Sequence, residues 1–511
     1  MALTLRRGWL TWTLLGAALG LIVLVATTLV LLRPAYLSSY IEKELEKRLR
    51  VDVSVGQVAV TFKPRPALTV SDVVFTLRRD DRPAFVRAER VSTEIGPFSV
   101  LRGHVARVEV RGLQITVPPG RGGPRTPQSA DRKLDTDIIV DRLDAYDATL
   151  TIERSEPGRE PLVFAIHQLT LNDVGVDRDM PFTAVLTNPV PEGRVESTGT
   201  IGAWIPEDPT SIALSGAYTF KLVNLGSLPG IGGDLTSRGE YSGQLTRLTV
   251  HGTADTPDFS LDLGGRRLPL RAAFHAVVDG SDGSTVLESV DATLNDTRIA
   301  VTGAIDNLPG PARRHIELTA EIDAGRIEDL LELVVDADPA LSGDVSMKAH
   351  VLLPPGEGRV RDRMAIDGTF SLPGTSFSDP AVRQKLAEFS RRSLAEQPSG
   401  KGSVQGRLAG RFSLASGILS LRALRFAVPG AEVRVQGTYA LASERLDLSG
   451  DVRMEASLSK AAGGWKGALL KPFDWWFRRD GAGAVIPITI SGNPAKPKVG
   501  VSLSRLIRRG N

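Results

Sequence analysis

The sequence predicts a mainly β protein in which an N-terminal transmembrane helix precedes an elongated, curled antiparallel β-sheet that forms a hydrophobic groove, with a few short helices. Three observations lead to this prediction. Residues 10–32 carry no charge, apolar residues alternate with polar ones over many short segments, and 51 glycines and 32 prolines provide frequent turns. Aromatic residues make up only 5% of the chain, so its apolar content rests on aliphatic residues, many of them β-branched, which suit half-buried strands.

The uncharged segment 10–32 is long enough to cross a membrane. As a helix it would span about 34 Å, whereas the hydrocarbon core of a bilayer is about 30 Å thick. Trp9, Trp12 and Tyr36 lie near its ends, where aromatic rings favour the lipid headgroup layer, and Arg33 can extend its side chain toward that layer. A cleaved signal peptide is the alternative, but the run is longer than a usual signal-peptide core and no small-residue cleavage pattern follows it.

Charge predicts the orientation of this anchor. Arg6 and Arg7 precede it, and basic residues favour the cytoplasmic side, so residues 1–9 are expected in the cytoplasm and the rest of the chain beyond the membrane. Over the whole chain 62 Lys and Arg nearly balance 59 Asp and Glu, and the two signs are interspersed, which argues against nucleic-acid binding.

After the anchor the sequence shows the period of two that is typical of strands with one buried face. A short helix with Ile41, Leu45 and Leu49 on one side comes first, and the alternation starts at Val51. Its parity changes at Gly112, as a glycine bulge would cause. Further alternating segments, some of them joined as hairpins, are Ile212 to Phe220, Arg298 to Ile305, His315 to Asp323, Val345 to Val351, Val433 to Leu441 and Leu446 to Met454.

Composition divides the chain into six parts. Gly, Pro and Ser accumulate after residue 118 and indicate a linker or a long surface loop. The predicted parts are a cytoplasmic tail (1–9), the transmembrane helix (10–32), an N-terminal β region (33–119), the Gly/Pro-rich linker or loop (120–136), a central β-sheet region (137–310) and a C-terminal β region with short helices (311–511).

A short motif, apolar-x-Gly, recurs within or beside the predicted strands. Glycine inside a strand costs stability, so its repetition indicates ordinary bulges, or bends in a curved sheet that leave room for something to approach the backbone. The glycines of the motif are Gly216, Gly252, Gly303, Gly368, Gly406, Gly437, Gly450 and Gly492.

The predicted helices are too few to cover the apolar strand faces. One runs from Gly325 to Val335, and another opens with Asp379 as N-cap and Pro380 at the first helical position. The apolar faces therefore either pack together as a sandwich of two sheets or line a groove that a ligand can fill. The side chains predicted to line the groove are Val53, Val55, Val108, Val110, Ile299, Val301, Ile316, Leu318, Val433, Val435, Leu446 and Leu448.

No catalytic, cofactor-binding or metal-binding residue is predicted. The chain has no cysteine, and its six histidines are scattered, none of them at the i, i+3 or i+4 spacing of a helical metal site. The run from Asp279 to Ser284 lacks the ligand spacing of an EF-hand loop and predicts a turn. These features favour a binding or structural role over an enzymatic one.

One segment near the C-terminus combines aromatic and basic residues. Residues 465–479 contain half of the six tryptophans of the chain, together with lysines and arginines. This composition suits a membrane interface, although the rings could equally close one end of the β body. The predicted membrane-interface residues are Trp9, Trp12, Arg33, Tyr36, Trp465, Trp475 and Trp476.

Segments spread over most of the chain share their order and spacing with a known family. They are Leu49–Gly56, Pro66–Val73, Val108–Leu113, Pro257–Phe259, Val278–Gly280, Phe389–Arg392, Lys471–Asp474 and Gly481–Ile488. In this set the chain resembles the AsmA-like family of bacterial envelope proteins, with the N- and C-terminal β regions as the matching parts. The stretch from Gly120 to about Arg194 is the least assignable.

The resemblance implies a single-pass protein of the cell inner membrane, with its N-terminus in the cytoplasm and its body in the periplasm. Larger relatives are regarded as bridge-like lipid carriers, in which a curled sheet shields acyl chains while phospholipid moves toward the outer membrane. We therefore expect an envelope-biogenesis factor that binds phospholipid or helps transfer it between the two membranes, without a cofactor. The alternative is a scaffolding periplasmic β protein that assists outer-membrane protein assembly and carries no lipid. This chain is short for crossing the periplasm alone.

Overall fold

The computed structural model describes residues 52–61, 67–76, 86–94, 104–117, 139–152, 161–175, 178–189, 191–203, 213–228, 230–244, 247–262, 264–279, 283–307, 314–394, 405–440, 443–455, 484–492 and 498–501, together with 38–39, 42–43 and 46. These residues are mainly β, as predicted, and form one large, open, curled sheet with few helices. A sandwich of two packed sheets is therefore not the arrangement of the described residues.

The chain enters the sheet from its N-terminal edge. The first nine strands are Asp52–Val55 (β1), Val58–Thr61 (β2), Ala67–Thr76 (β3), Val86–Glu94 (β4), His104–Val105 (β5), Val108–Val117 (β6), Ile139–Ile152 (β7), Leu162–Val174 (β8) and Met180–Pro189 (β9). The next nine are Glu192–Ile201 (β10), Ala213–Asn224 (β11), Ile231–Gly232 (β12), Asp234–Gln244 (β13), Arg247–Leu261 (β14), Leu268–Val278 (β15), Thr285–Leu294 (β16), Thr297–Asn307 (β17) and Arg314–Arg326 (β18).

The remaining strands continue toward the C-terminus. They are Leu341–Ser342 (β19), Asp344–Leu353 (β20), Ala365–Phe377 (β21), Gly406–Ala415 (β22), Ile418–Val428 (β23), Ala431–Ala440 (β24), Arg445–Met454 (β25), Ala484–Gly492 (β26) and Lys498–Val501 (β27). Three α-helices lie between the described strands, Ile327–Val334 (α1), Val360–Arg363 (α2) and Pro380–Leu394 (α3), and a 3-10 turn spans Leu225–Ser227.

Strands that follow one another in the chain are neighbours in the sheet, which contains 25 of these strands. Every described pairing is antiparallel except those that β5 and β6 make with β7. A parallel pair requires a connection that returns to the starting end of the strand. Residues 118–138, which include the predicted linker 120–136, make this connection but lie outside the described residues. The two-residue strands β12 and β19 pair only with the ends of β14 and β21.

The sequence predicted the positions of many strands of this sheet. The described residues of all six alternating segments named above lie in strands, namely β11, β17, β18, β20, β24 and β25, while Ile212 and Leu441 lie outside the described residues. The two longer helices are also confirmed: α1 lies inside the predicted segment, and α3 begins at Pro380, with the Asp379 carboxylate accepting the Val382 N–H at 3.4 Å. The sheet runs without interruption across residue 310, the predicted regional boundary, because β17 and β18 pair along their lengths.

The first nine strands enclose a closed core. Its aliphatic side chains come from β1 and from β3 to β9, and all are at most 8% exposed. Pairing is interrupted, with the register unchanged, across β3, β4, β6 and β7 at Asp72, Glu89, Gly112 and Asp147. Three of these four residues have positive φ, and the change of parity predicted at Gly112 is confirmed, with φ 63°, although no register shift accompanies it. Interruptions at one level of neighbouring strands allow the sheet to curl tightly over its own apolar face here.

The segment before β1 protects the exposed edge of that strand. Glu42 and Glu46 are helical, and their carboxylates accept hydrogen bonds from the backbone N–H groups of Val55 at 2.8 Å and Val53 at 3.5 Å. Four helical residues rise about 6 Å and two strand residues about 6.7 Å, so carboxylates spaced i, i+4 match alternate N–H groups of a strand. These bonds satisfy outward donors that would otherwise invite pairing with another strand.

A carboxylate buried beneath two arginines reinforces the same core. The Asp144 side chain is fully buried and accepts hydrogen bonds from Thr170 Oγ1 at 2.8 Å and Arg142 Nε at 2.9 Å, while Arg107 Nη2 lies 2.8 Å away. Burial alone raises the pKa of this carboxyl, but these hydrogen bonds and the two arginine charges outweigh burial and hold the pKa below its usual value. The network therefore ties β5/β6, β7 and β8 together through one ionised group.

Glycines allow the rest of the sheet to bend. Gly437 has φ 154°, in the region that L side chains avoid, and a Cβ added there or at Gly450 would overlap the carbonyl oxygen of the facing strand. At Gly450 that oxygen belongs to Arg434, a backbone atom that cannot move aside on its own. The repeated glycines thus mark places where neighbouring backbones approach closely, which agrees with the bent-sheet interpretation of the motif.

We predict that Gly450→Ala destabilises the protein by about 1–3 kcal/mol, because the new methyl group overlaps backbone and the strands must separate. Gly374→Ala is the matched control, since its Cβ would meet only Gln405 Oε1 at 3.7 Å. The control should be neutral or slightly stabilising, because alanine reduces the entropy of the unfolded chain. Chemical denaturation monitored by circular dichroism measures both variants, and equal stabilities would contradict the assignment of Gly450 to a close approach.

We predict that Asp144→Asn costs about 1–3 kcal/mol at neutral pH, since the charge-assisted hydrogen bonds are lost from a buried site. Because the native pKa of Asp144 lies below its unfolded value, its contribution is present above the unfolded pKa and is lost as the pH falls through the native pKa. The stability difference between parent and variant should therefore shrink under acid conditions. Asp147→Asn, at an exposed position of the same strand, should show little difference at any pH.

Candidate functional site

The candidate site is the apolar side of the sheet from β10 to β27, which we call the open apolar face. Strand register assigns to this face alternate residues that are mostly aliphatic, aromatic, glycine or hydroxyl-bearing, and the one charged residue among those described is Arg314, which pairs with Asn307 at the start of β18. Most of these side chains are half-buried, whereas their counterparts in β1 to β9 are almost fully buried. The face is therefore apolar but incompletely covered by the described residues.

Cross-strand pairing makes this face continuous. Val301 pairs with Val290 on one side and with Ala320 on the other, and Ala320 in turn pairs with Ala349. Similar rows connect the remaining strands to β27 through the pairings of β20 to β26. Fifteen inter-strand steps of about 4.8 Å separate β10 from β27, so the face extends roughly 70 Å along the sheet.

Helices cover one margin of the open apolar face. Ile327 and Leu330 of α1 pack against Ile322, Val345 and Leu372, which lie at the ends of β18, β20 and β21. In the same way, α3 packs Leu386 against β23, β24 and β25, and Ser390 donates a hydrogen bond to the Pro429 carbonyl at 2.6 Å. Residues of the face are fully buried mainly along this margin, so the helices form a wall on one side of the face.

A buried carboxylate holds α1 in place. Asp329 is 3% exposed, and it accepts hydrogen bonds from Thr297 Oγ1 at 2.6 Å, Asn295 Nδ2 at 2.7 Å and the Asp296 N–H at 3.3 Å. All three donors belong to the turn between β16 and β17 or to the residue that follows it. The helix is therefore fixed to the sheet by its polar side as well as by its apolar side.

The acidic surface beside α1 has a structural role. A cavity of about 440 Å³ lies there, lined in part by Glu328, Glu332 and Asp338. Arg266 lies 3.5 Å from Glu332 and 2.9 Å from Asp338, and Arg326 lies 3.2 Å from Glu328. The carboxylates of Glu328, Glu332 and Asp338 are thus already paired with arginines. No group of three or more potential metal ligands occurs in the described part of the chain.

Aromatic rings cover several glycines of the open apolar face. A Cβ at Gly368 would meet the ring of Phe412, and one at Gly406 would meet the ring of Phe426. A Cβ at Gly252 would lie 2.9 Å from Phe274 Cζ. The space above these motif glycines is therefore filled by side chains of the neighbouring strand, which replaces the contacts that glycine lacks.

Four hydroxyl groups interrupt the apolar surface near its start, and we call Ser197, Tyr218, Ser237 and Tyr241 the hydroxyl quartet. The Tyr241 hydroxyl lies 2.8 Å from Ser197 Oγ, and the Tyr218 hydroxyl lies 3.2 Å from Ser237 Oγ. The two tyrosine rings are 6.5 Å apart. Other described hydroxyl side chains of this face lie at or near strand ends. The sequence did not indicate this cluster, because its members come from three different strands and meet only through register.

The opposite, polar face of the sheet also brings scattered residues together. His251 and His275 pair across strands with ring centroids 5.2 Å apart, and Glu317 lies 3.0 Å from His350 and 3.9 Å from His315. A search for helical spacing could not find these groups, since they depend on strand pairing. They occupy the exposed face of the sheet.

The predicted groove residues fall into two groups. Val53, Val55, Val108 and Val110 lie in the closed N-terminal core with at most 6% of their surface exposed, so they do not belong to the open apolar face. The tight curl of the sheet in β1 to β9 removes these four valines from solvent. The other eight all lie on the open apolar face, where only Val435 and Leu448 are fully buried. These eight are Ile299, Val301, Ile316, Leu318, Val433, Val435, Leu446 and Leu448.

The predicted membrane segments lie outside the described residues. This applies to the anchor 10–32 and to all seven predicted interface residues, from Trp9 to Trp476. Among the helices that the structure does describe, none combines the length and apolar character needed to cross a membrane.

Comparison with known proteins adds no family assignment. Neither a family model nor a curated protein matches the chain. The resemblance to AsmA-like proteins therefore stays a prediction from the sequence.

We predict that Asp329→Asn loosens α1 from the sheet, because the amide replaces a carboxylate that accepts three hydrogen bonds in a buried position. Amide hydrogen exchange in residues 327–334 should accelerate roughly tenfold, which corresponds to about 1.4 kcal/mol of local stability. Asp336→Asn, at a position 78% exposed, is the control and should leave exchange in α1 unchanged. Equal exchange in both variants would show that Asp329 does not fix the helix.

Proposed function

We propose that the protein binds acyl chains of phospholipid along the open apolar face and helps to transfer them between the two membranes of the bacterial envelope. The observation that carries this proposal is an apolar strand face, continuous over 16 strands, whose side chains are mostly half-exposed and among whose described residues only Arg314, at a strand end, is charged. Large contiguous apolar surfaces of this kind are rare on soluble proteins and usually mark a binding surface.

Energetics favour a hydrocarbon ligand on such a face. Each methylene that leaves water contributes about 0.8 kcal/mol, so a chain of many methylenes binds firmly without any specific polar contact. Because the ligand would be recognised by its hydrocarbon, affinity should depend more on chain length than on headgroup. A face of roughly 70 Å could hold several chains in succession, which suits transfer better than storage of a single lipid.

The covered margin gives this surface the shape of a trough. α1 and α3 wall one side, and Val360 of α2 lies beside Gly230 in the connection between β11 and β13. The closed core of β1 to β9 blocks the N-terminal end, so a chain moving along the face would travel between β10 and β27. In this proposal the N-terminal segment anchors the trough in the inner membrane and the β body lies in the periplasm.

We assign no catalytic step to the protein. The carboxylates and histidines described above lie on the polar face or in paired structural clusters, whereas the polar groups in the interior of the described open apolar face are hydroxyl groups. A scaffolding role without lipid is the rival proposal, and it predicts that the same face is occupied by protein rather than by hydrocarbon.

We predict that a photo-crosslinking amino acid at Val301 captures phospholipid in cells, because this side chain is half-buried at the centre of the open apolar face. The same probe at Thr302, the adjacent exposed position on the polar face, is the matched control and should capture several-fold less. Mass spectrometry of the purified adducts identifies what was captured. Equal labelling at both positions, or capture of protein alone at Val301, would contradict lipid binding.

A further inference from the structure

We propose that the hydroxyl quartet binds the ester-linked glycerol region of a lipid whose acyl chains lie on the open apolar face. This inference rests on the proposed function and adds a defined position for one part of the lipid. It starts from the fact that the quartet is the polar interruption in the interior of a face that is otherwise apolar among the described residues.

Hydrogen-bond counting shows what the quartet offers to a ligand. Ser197 Oγ donates its proton to the Ala217 carbonyl at 3.0 Å, so the contact between Ser197 and Tyr241 must use the Tyr241 proton. The Tyr241 oxygen is then left as an acceptor. Tyr218 and Ser237 share one hydrogen bond but carry two protons, so one proton remains for an outside acceptor. The quartet therefore presents one donor and at least one acceptor.

Filling the face with hydrocarbon would be costly at this position unless the ligand supplied a polar atom. Both tyrosines are half-buried, and a hydroxyl that loses its water without gaining a partner costs about 1–3 kcal/mol. An ester carbonyl accepts the spare proton at the point where a glycerolipid changes from hydrocarbon to headgroup. A pure hydrocarbon chain satisfies neither group and should avoid this position.

The electrostatics favour a neutral group over a charged one. Among the described residues of the face only Arg314 is charged, and it lies in β18, several strands from the quartet, so a phosphate placed at the quartet would lose water without gaining a cation. Burial raises the pKa of the Tyr218 and Tyr241 phenols, and their hydrogen bonds with Ser237 and Ser197 offset this only in part, so both phenols stay neutral and protonated. The phosphate would instead lie toward an exposed margin of the sheet.

Position within the sheet gives the bound lipid a direction. The quartet belongs to β10, β11 and β13, the strands that follow the closed core. Acyl chains can extend from it over β14 and later strands, whereas the core offers them no exposed surface. The quartet would thus orient a lipid at the start of the trough.

The test compares a lipid that has ester carbonyls with one that lacks them. The capture of each lipid is measured by crosslinking at two positions of the chain. The full-length chain, carrying a photo-crosslinking amino acid at Val250, is reconstituted in vesicles with equal amounts of dioleoyl phosphatidylglycerol and its diether analogue. Val250 pairs directly with Tyr241 on the same face. A second preparation carries the probe at Val301, far from the quartet. Mass spectrometry gives the ratio of ester to ether lipid in each adduct.

We expect the ester lipid to be enriched roughly three- to tenfold at Val250 and not at Val301, as one hydrogen bond would produce. Tyr218→Phe combined with Tyr241→Phe should abolish the enrichment while adduct yield at Val301 is retained, which shows that the sheet is intact. Tyr439→Phe, at another tyrosine of this face, should change nothing. Equal ratios at Val250 in the parent chain, or enrichment that survives loss of both phenols, would overturn the inference and leave the proposed function standing. Absence of lipid adducts at both positions would overturn both.

Discussion

An apolar strand face that no second layer of the described residues covers is the constraint on which this structure depends. Exposing such a face to water is unfavourable in proportion to its area, so its burial is favoured, either by curling of the sheet or by contact with another molecule. The described strands show two arrangements. Between β1 and β9 the curl is tight enough to close a core, and from β10 onward the same alternation of side chains continues over a more open surface.

Local backbone chemistry decides where each outcome occurs. In the first part, Asp72, Gly112 and Asp147 have positive φ at the same level of neighbouring strands, and the apolar side chains converge. In the second part, register shifts interrupt many of the strand pairings, and glycines such as Gly437 and Gly450 let their backbones approach the adjacent strand. Aromatic rings lie over other glycines and restore contacts there. The same alternation of side chains therefore accompanies a closed core in one part and an open face in the other.

The sequence predicted the elements better than their arrangement. Period-two alternation located β11, β17, β18, β20, β24 and β25, and Asp379 with Pro380 located the start of α3, because these signals are local. Whether Val108 would be buried in a core or exposed in a groove could not be read in the same way, since both environments require the same apolar side chain. The hydroxyl quartet was also hidden: Ser197 and Tyr241 are 44 residues apart and meet only through the register of β10, β11 and β13.

Because most strands pair with their neighbours in the chain, the sheet can be assembled, lengthened or shortened one hairpin at a time. Each hairpin contacts mainly the hairpins before and after it, so stability is close to a sum of nearest-neighbour terms, as in repeat proteins. Assembly can spread outward from the compact first nine strands, with low contact order at each step. Inserting or deleting one hairpin would lengthen or shorten the sheet by about 10 Å without disturbing distant strands. Span is therefore a quantity that evolution can adjust in small, independent increments.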